Sequence, residues 1–404
     1  MKMLQLKSSR RGSVLTLILL VVVMLLVMGV GLLSLGMHIR LFATQTSSEI
    51  AARCAADAGL TRAVVEMNQK LEVKPWDDTE LPQATNEPLP NCNAIFSYTV
   101  TKDYAGNYII ESIGKSGPSE RTVSCSLPLQ GPFEYAIFAD ELIALKSGTS
   151  VDWYNYDADE SNLQVGTNSI LPDAIVLDTD ATINGDVVVG KGGDPEGTVI
   201  KNDCGGTITG STYPLTESRS LPPITVPEEL MLLPSEGTIT GDKTLFTSAK
   251  YDSIKLGNDE VITIDGQVEL YIVGSIELKN GSELRIVDEF TNPDASLALY
   301  LGGNMEAKND SVINNYSMIP EKLRIYGLDS CQTIDFLNSG TFYGAIYSPN
   351  ADVTMHAAVD VYGAIAAKSL VQYSTANIYY DASLRDVSID DALVRFVVDQ
   401  WWEQ

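Results

Sequence analysis

RRGSVLTLILLVVVMLLVMGVGLLSLGMHIR, Arg10 to Arg40, decides how the rest of this chain is read. From Ser13 to Met37 no side chain carries a charge. That span is about 25 residues long, where ~20 suffice for a helix to cross a bilayer. The apolar core of a secretory signal is only ~7–15 residues and ends at a small-residue exit, which this run lacks, so a discarded signal is the weaker reading. Lys2, Lys7, Arg10 and Arg11 precede the run, whereas only His38 and Arg40 follow it before a long acidic region. That asymmetry places residues 1–12, a basic leader, in the cytoplasm and everything beyond the helix outside.

The helical pattern continues past Met37. Between Met37 and Leu71 there is no proline and a single glycine, Gly59, while Leu60, Val64, Met67 and Leu71 recur at helical spacing. One helix over 13–71 would measure roughly 90 Å. Its first half, 13–37, would be transmembrane and its second amphipathic. The alternative is an ordinary single-pass anchor followed by a separate soluble helix.

With the leader ending at Gly12, the apolar run, the amphipathic extension and the segment AADAGLTRAV (55–64), the amino terminus resembles that of type IV pilin-like proteins, most nearly the PilX-type minor pilins. The resemblance implies that a prepilin peptidase cuts between Gly12 and Ser13. It also implies that the apolar half packs among other pilin-like subunits in a membrane-derived filament while the rest projects outward. Ser13 stands where abundant subunits of that family carry Phe, and Leu17 where they carry Glu. The chain therefore resembles a minor subunit, of the kind that starts or caps a filament.

Composition bounds the rest. At 404 residues the chain is long enough for two or more units. Lys and Arg number 27 against 53 Asp and Glu, a net charge of −26, which excludes a nucleic-acid footprint and reads as the solvated surface of an exported protein. His38 and His356 are the only histidines, so a His–carboxylate or His–Cys mechanism has almost no material. None of the five cysteines forms a C-x-x-C pair, which argues against zinc or a redox centre. Cys92 and Cys125 flank a small β-rich segment and are the candidate disulfide.

Residues 72–91, EVKPWDDTELPQATNEPLPN, hold four prolines and no apolar period, and read as a linker. Within 92–130, AIFSYTVTK, NYIIESIGK and RTVSCSLPL read as a small antiparallel meander. From 131 to 386 short apolar runs alternate with Gly, Asn, Asp and Ser. GTITG occurs at 206–210 and 237–241, and YGAI at 343–346 and 362–365, an offset of 19. A period near 20 suits one coil of a β-solenoid (β-helix), and a β-sandwich is the alternative. Joined to the pilin-like helix, the YGAIYSPNADVTM and VYGAIAAKSL pattern is similar to a family of bacterial pilin-like surface proteins. That similarity implies a solenoid-like ectodomain with no assigned activity. Residues 387–404, VSIDDALVRFVVDQWWEQ, read as a short helix capping the solenoid. Leu393, Phe396, Val397 and Trp401 would share one face, with Asp390 and Asp391 in its first turn. Trp401 and Trp402 are a candidate docking patch for a partner.

Chemistry is sparse. Asp157, Asp159 and Glu160, and again Asp178, Asp180 and Asp186, could offer oxygens to Ca²⁺, but neither set matches a calcium loop, and both read as solvated turns. Gly190–Asp194 is glycine-rich without Walker spacing, and no G-x-S-x-G elbow is present. The sequence thus offers no catalytic residue, no cofactor site and no metal site. The leading expectation is a non-enzymatic surface protein, single-pass in a bacterial inner membrane, with its amino terminus cytoplasmic. It would act as a minor-pilin-like component of a type IV pilus or type II secretion-like assembly, presenting a β-rich ectodomain for adhesion or assembly, toward a glycan or protein ligand that the sequence does not name. The alternative is a membrane-tethered carbohydrate-active lyase or hydrolase on a β-helix, working through carboxylates, arginine and calcium.

Overall fold

The computed structural model describes residues 13–403 apart from 105, 156–161, 203, 309, 338, 390 and 392. Two compact units result, one built from residues up to 128 together with 396–403, the other from 129–395.

The first unit is organised by a single helix, α1 (Ser13–Leu71), unbroken through the apolar run and its extension. Every residue from 14 to 47 is exposed. Beyond that the helix buries one stripe: Ala52, Ala55, Ala56, Gly59, Leu60, Ala63, Met67 and Leu71, spaced three and four apart. Of the four residues read as the amphipathic stripe, Val64 alone is only half-buried. The stripe lies on an antiparallel sheet of β1 (Gln83–Pro88), β2 (Ile95–Lys102), β3 (Tyr108–Ser116) and β4 (Ser119–Leu127). Phe96, Tyr98 and Val100 of β2 and Tyr108 and Ile110 of β3 are buried at alternate positions. The helix and sheet approach so closely that glycine is needed on both sides. A Cβ at Gly114 would strike the Ala52 carbonyl and the Ala56 amide, and one at Gly59 would strike Ser112 and Phe96.

Two expectations are corrected here. Part of the linker, 83–88, is the edge strand β1, bulged between Ala84 and Glu87 with Asn86 at φ 54°. Prolines mask it, and an edge strand tolerates them because its outward N–H groups need no partner. The carboxy-terminal segment is not a capping helix for the second unit. Leu393 adopts φ 63°, which ends any helical run. The Asn68 side chain then takes both backbone groups of Phe396: Phe396 N donates to Asn68 Oδ1 at 2.8 Å, and Asn68 Nδ2 donates to Phe396 O at 3.0 Å. The Phe396 ring lies 5.1 Å from Tyr108 and 5.7 Å from Trp76. Trp401–Glu403 then pairs antiparallel with β4, Trp401 opposite Cys125. The chain thus leaves the first unit after β4 and returns to complete the same sheet. Asp390, assigned to the first turn of that helix, lies outside the described residues.

In the second unit every resolved pairing among the long ladders is parallel, which a sandwich of antiparallel sheets does not allow and a solenoid-like stack does. Three ladders recur per coil. One carries Ile254, Ile276, Met305 and Ile334 inward; a second carries Leu270, Leu299, Ile325 and Ile346; a third carries Ile262, Leu284 and Ile313. The YGAI repeat is a true neighbour relation: Tyr343, Gly344, Ala345 and Ile346 lie beside Tyr362, Gly363, Ala364 and Ile365. A Cβ at Gly363 would enter the backbone of Gly344, so the glycines are required where the coil bends. GTITG is an echo without equivalence. Thr207–Ile208 pairs with Thr182–Ile183 in one ladder, whereas Thr238–Ile239 pairs with Ser253 and Ile254 in another.

The coils are not stacked in chain order. The chain enters at Ile137–Leu145, runs outward to Thr212–Pro214, crosses back through 215–236 as a strap, and coils from 238 toward 381. Its last coil then lies against its first, with Ile365 beside Ile137 and Ile378 beside Val151. The strap packs on the outer side of the second ladder. There Tyr271, Tyr300, Tyr326 and Tyr347 form a column, and the last three are buried. Tyr347 OH donates to Pro222 O at 2.9 Å, Lys250 Nζ donates to Met231 O at 2.8 Å, and Ile224 and Leu230 join the core.

Candidate functional site

The feature with the clearest chemistry is the bare stretch of α1. From Val14 to Phe42 it exposes an all-round array of large apolar side chains, including Leu15, Leu25, Leu33 and Phe42, which water does not tolerate on an isolated helix. This helix is long and apolar enough to cross a membrane, and none of its most apolar window is buried. An apolar helix with no protein cover needs lipid or other helices. Gly12 lies outside the described residues, and Ser13 is the first described residue of α1.

The two outer faces left uncovered by the strap are polar. On the first ladder Glu277, Glu306 and Asp335 stand in register, answered by Lys255 at 4.0 Å from Glu277 and Lys308 at 2.9 Å from Glu306. On the third, Tyr343, Tyr362 and Tyr379 stack with ring centroids 4.4 and 4.8 Å apart, and Tyr154 lies edge-on to the first two. Their ring faces are taken up by one another, so the ladder presents edges and hydroxyls, a stabilising stack more than an aromatic platform. A shallow cavity of about 170 Å³ has Ala144, Leu145, Val176 and Leu177 as its floor and Lys146 and Lys201 on its rim. It falls short of the ~300–1,000 Å³ of ordinary ligand pockets. His356 is occupied by stacking on Tyr373 at 4.9 Å.

Asp178 accepts a hydrogen bond from Lys146 at 2.8 Å, and that contact, with the Thr179 amide, holds its carboxyl down at about 2. Asp186 accepts from the Ser211 amide at 2.7 Å, and Asp180 sits in a turn at φ 57°. Asp178 and Asp186 thus have internal partners, Asp186 from the first position of the strand Asp186–Val189. Asp157, Asp159 and Glu160 lie outside the described residues. Among the described residues no group of three or more His, Cys, Asp or Glu side chains gathers at metal-binding spacing.

Cys92 and Cys125 are not brought together. Cys92 is exposed, its thiol 3.6 Å from Leu89 O, while Cys125 is buried in β4 opposite Trp401. The flanking positions in sequence put one on a turn and the other inside the sheet. Burial pushes the thiols of Cys125 and Cys331 up to about 11, whereas Cys54, Cys92 and Cys204 are exposed. A thiol reagent at pH 8 is therefore expected to modify three cysteines in the folded protein and the remaining two only on unfolding, as counted by absorbance or mass. Because the two buried thiols are raised from 9.0, their contribution to stability is complete below pH ~9 and is lost as pH rises through about 11. Trp401 and Trp402 sit on an edge strand and are partly exposed, with the Arg53 guanidinium 5.7 Å from the Trp401 ring and 3.5 Å from Glu403.

Sequence reading missed the small-residue stripe Ala52, Ala55, Ala56 and Ala63. Its signal, alanines three and four apart, was present, but alanine carries little weight in an apolar pattern built on large side chains.

A family profile described as a domain of unknown function (DUF7305) matches residues 237–387. A search of curated proteins returned no match to this sequence. Among solved structures, the competence-associated pilin ComZ from Thermus thermophilus is similar at 12% identity and a TM-score of 0.24, over 88% of this chain and 97% of that one. An ice-binding protein from an Antarctic biological consortium is similar at 12% identity and a TM-score of 0.29, over 60% of this chain and 87% of that one. An ice-binding protein from an Antarctic Flavobacteriaceae bacterium is similar at 11% and 0.23, over 60% and 79%. Likeness at this level transfers no function.

Proposed function

We propose that this protein is a membrane-anchored, exported, minor-pilin-like surface protein whose solenoid-like unit is displayed for adhesion or assembly, without catalytic activity. The observation that supports this reading is the division of α1. Its first half is bare and apolar, and the same unbroken helix then lays an Ala/Gly stripe beneath an antiparallel sheet. Such a helix anchors in lipid, or among like helices, while carrying a rigid head. Residues 1–12 would remain cytoplasmic and the units beyond the helix would lie outside. A leader peptidase would cut between Gly12 and Ser13, after which other pilin-like subunits would cover the apolar half.

The test is the mature amino terminus. Mass spectrometry of the membrane-fraction protein is expected to find Ser13 first, and a Gly12→Leu variant is expected to retain Met1. An intact Met1 in the wild-type membrane protein would leave a plain anchor. A released protein beginning beyond Met37 would overturn both.

A further inference from the structure

The second unit is entered, crossed by its strap and left at one place. Arg219 of the strap is buried there, its side chain 7% exposed, with Nη1 donating to Glu134 Oε2 at 2.7 Å. Its Nη2 donates to Gly131 O at 3.1 Å, and the guanidinium lies 4.8 Å from the Tyr135 ring and 5.5 Å from the Phe138 ring. The Arg219 amide donates to Asn168 Oδ1 at 2.8 Å, and Asn168 Nδ2 donates back to Arg219 O at 2.7 Å. The same Glu134 oxygen accepts from Gln130 Nε2 at 2.6 Å. Gln130 Oε1 in turn accepts from Arg395 Nη2 at 2.6 Å and Nε at 3.0 Å. One carboxylate and one amide thus join the entrance, the strap and the exit.

We propose that this network is a clamp that makes the entrance, strap and exit of the solenoid-like unit open together. Load arriving through either covalent link is then met by charge-assisted hydrogen bonds before it reaches the ladders. Charge-assisted bonds of this length are about twice as strong as neutral ones, and removing Glu134 would leave the buried Arg219 guanidinium without its counter-charge. Ladder bonds at a strand end, by contrast, open one after another. The clamp lies wholly within residues 129–395, so it stands whether or not α1 enters a filament.

Hydrogen exchange of the full-length chain in detergent micelles tests it. In Arg219→Met, amides of 131–139, 166–169, 219–224 and 393–395 are expected to exchange at least tenfold faster as one group, with 262–286 unchanged. Acceleration confined to the strap, or spread evenly over the whole unit, would overturn the clamp. Should that variant fail to fold, Glu134→Gln keeps shape and one acceptor while removing the charge. It is expected to accelerate the same segments by a common factor, and a change in one segment only, or in none, counts against the proposal.

Discussion

Replacing Gly114 by valine is expected to unfold the first unit well below the temperature at which the wild type melts. Gly114 sits in β3 where the sheet meets α1, and a Cβ there would fall on the Ala52 carbonyl and the Ala56 amide. Those atoms belong to the helix backbone and cannot rotate aside as a side chain would. Overpacking of this kind costs about 3 kcal/mol, at the upper end of its usual range. For a unit of this size that is a drop of more than ~10 °C. Trp76, Trp401 and Trp402 belong to the first unit and only Trp153 to the second, so tryptophan fluorescence follows the relevant transition. Gly36→Val is the matching control. Nothing lies within 4 Å of a Cβ at Gly36, so the melting should be unchanged, and any effect there would appear in membrane association or assembly. An unshifted transition in Gly114→Val would mean that helix and sheet are not in close contact in solution.

Phe396→Ala is expected to be nearly as costly, and its location separates two accounts of the carboxy terminus. Phe396 is 2% exposed and fills the space between Trp76 and Tyr108, so truncation should cost about 3–5 kcal/mol. The loss should appear in the first unit alone, as a lowered fluorescence transition and faster exchange in β3 and β4. The second unit's ladders should keep their protection. If the segment capped the solenoid-like stack, the opposite pattern would follow.

How much could be read in advance varies by element, for physical reasons. Helix α1 was legible because absence of charge and a 3.6-residue period are local properties of the sequence. The carboxy-terminal strand was not. Its spacing of Leu393, Phe396, Val397 and Trp401 satisfies a helix, and what selects the strand is Asn68, 328 residues away, together with the free edge of β4. Edge strand β1 was hidden by prolines that an interior strand would not accept. The YGAI repeat announced that neighbouring coils exist, yet a repeat says nothing of the direction in which coils stack. The reversal between 214 and 238 therefore left no trace. Of the candidate site residues, the cleavage position between Gly12 and Ser13 lies at the edge of the described residues, whereas Cys92 and Cys125 stay free thiols because proximity across a meander depends on which strand face each thiol occupies.

The unusual order of the coils also bears on how the chain is born. Ser150 receives its hydrogen bond acceptor from Asn377, 227 residues later, so the first coil made has no neighbour on one side until the last is complete. A chain made from its amino terminus cannot simply zip this stack together behind itself. Such distant pairings fold slowly, and the waiting edge is open to wrong partners. Until 365–381 is in place, one edge of the strands in 137–155 stays unpaired in the middle of the stack, and the last coil is what closes it.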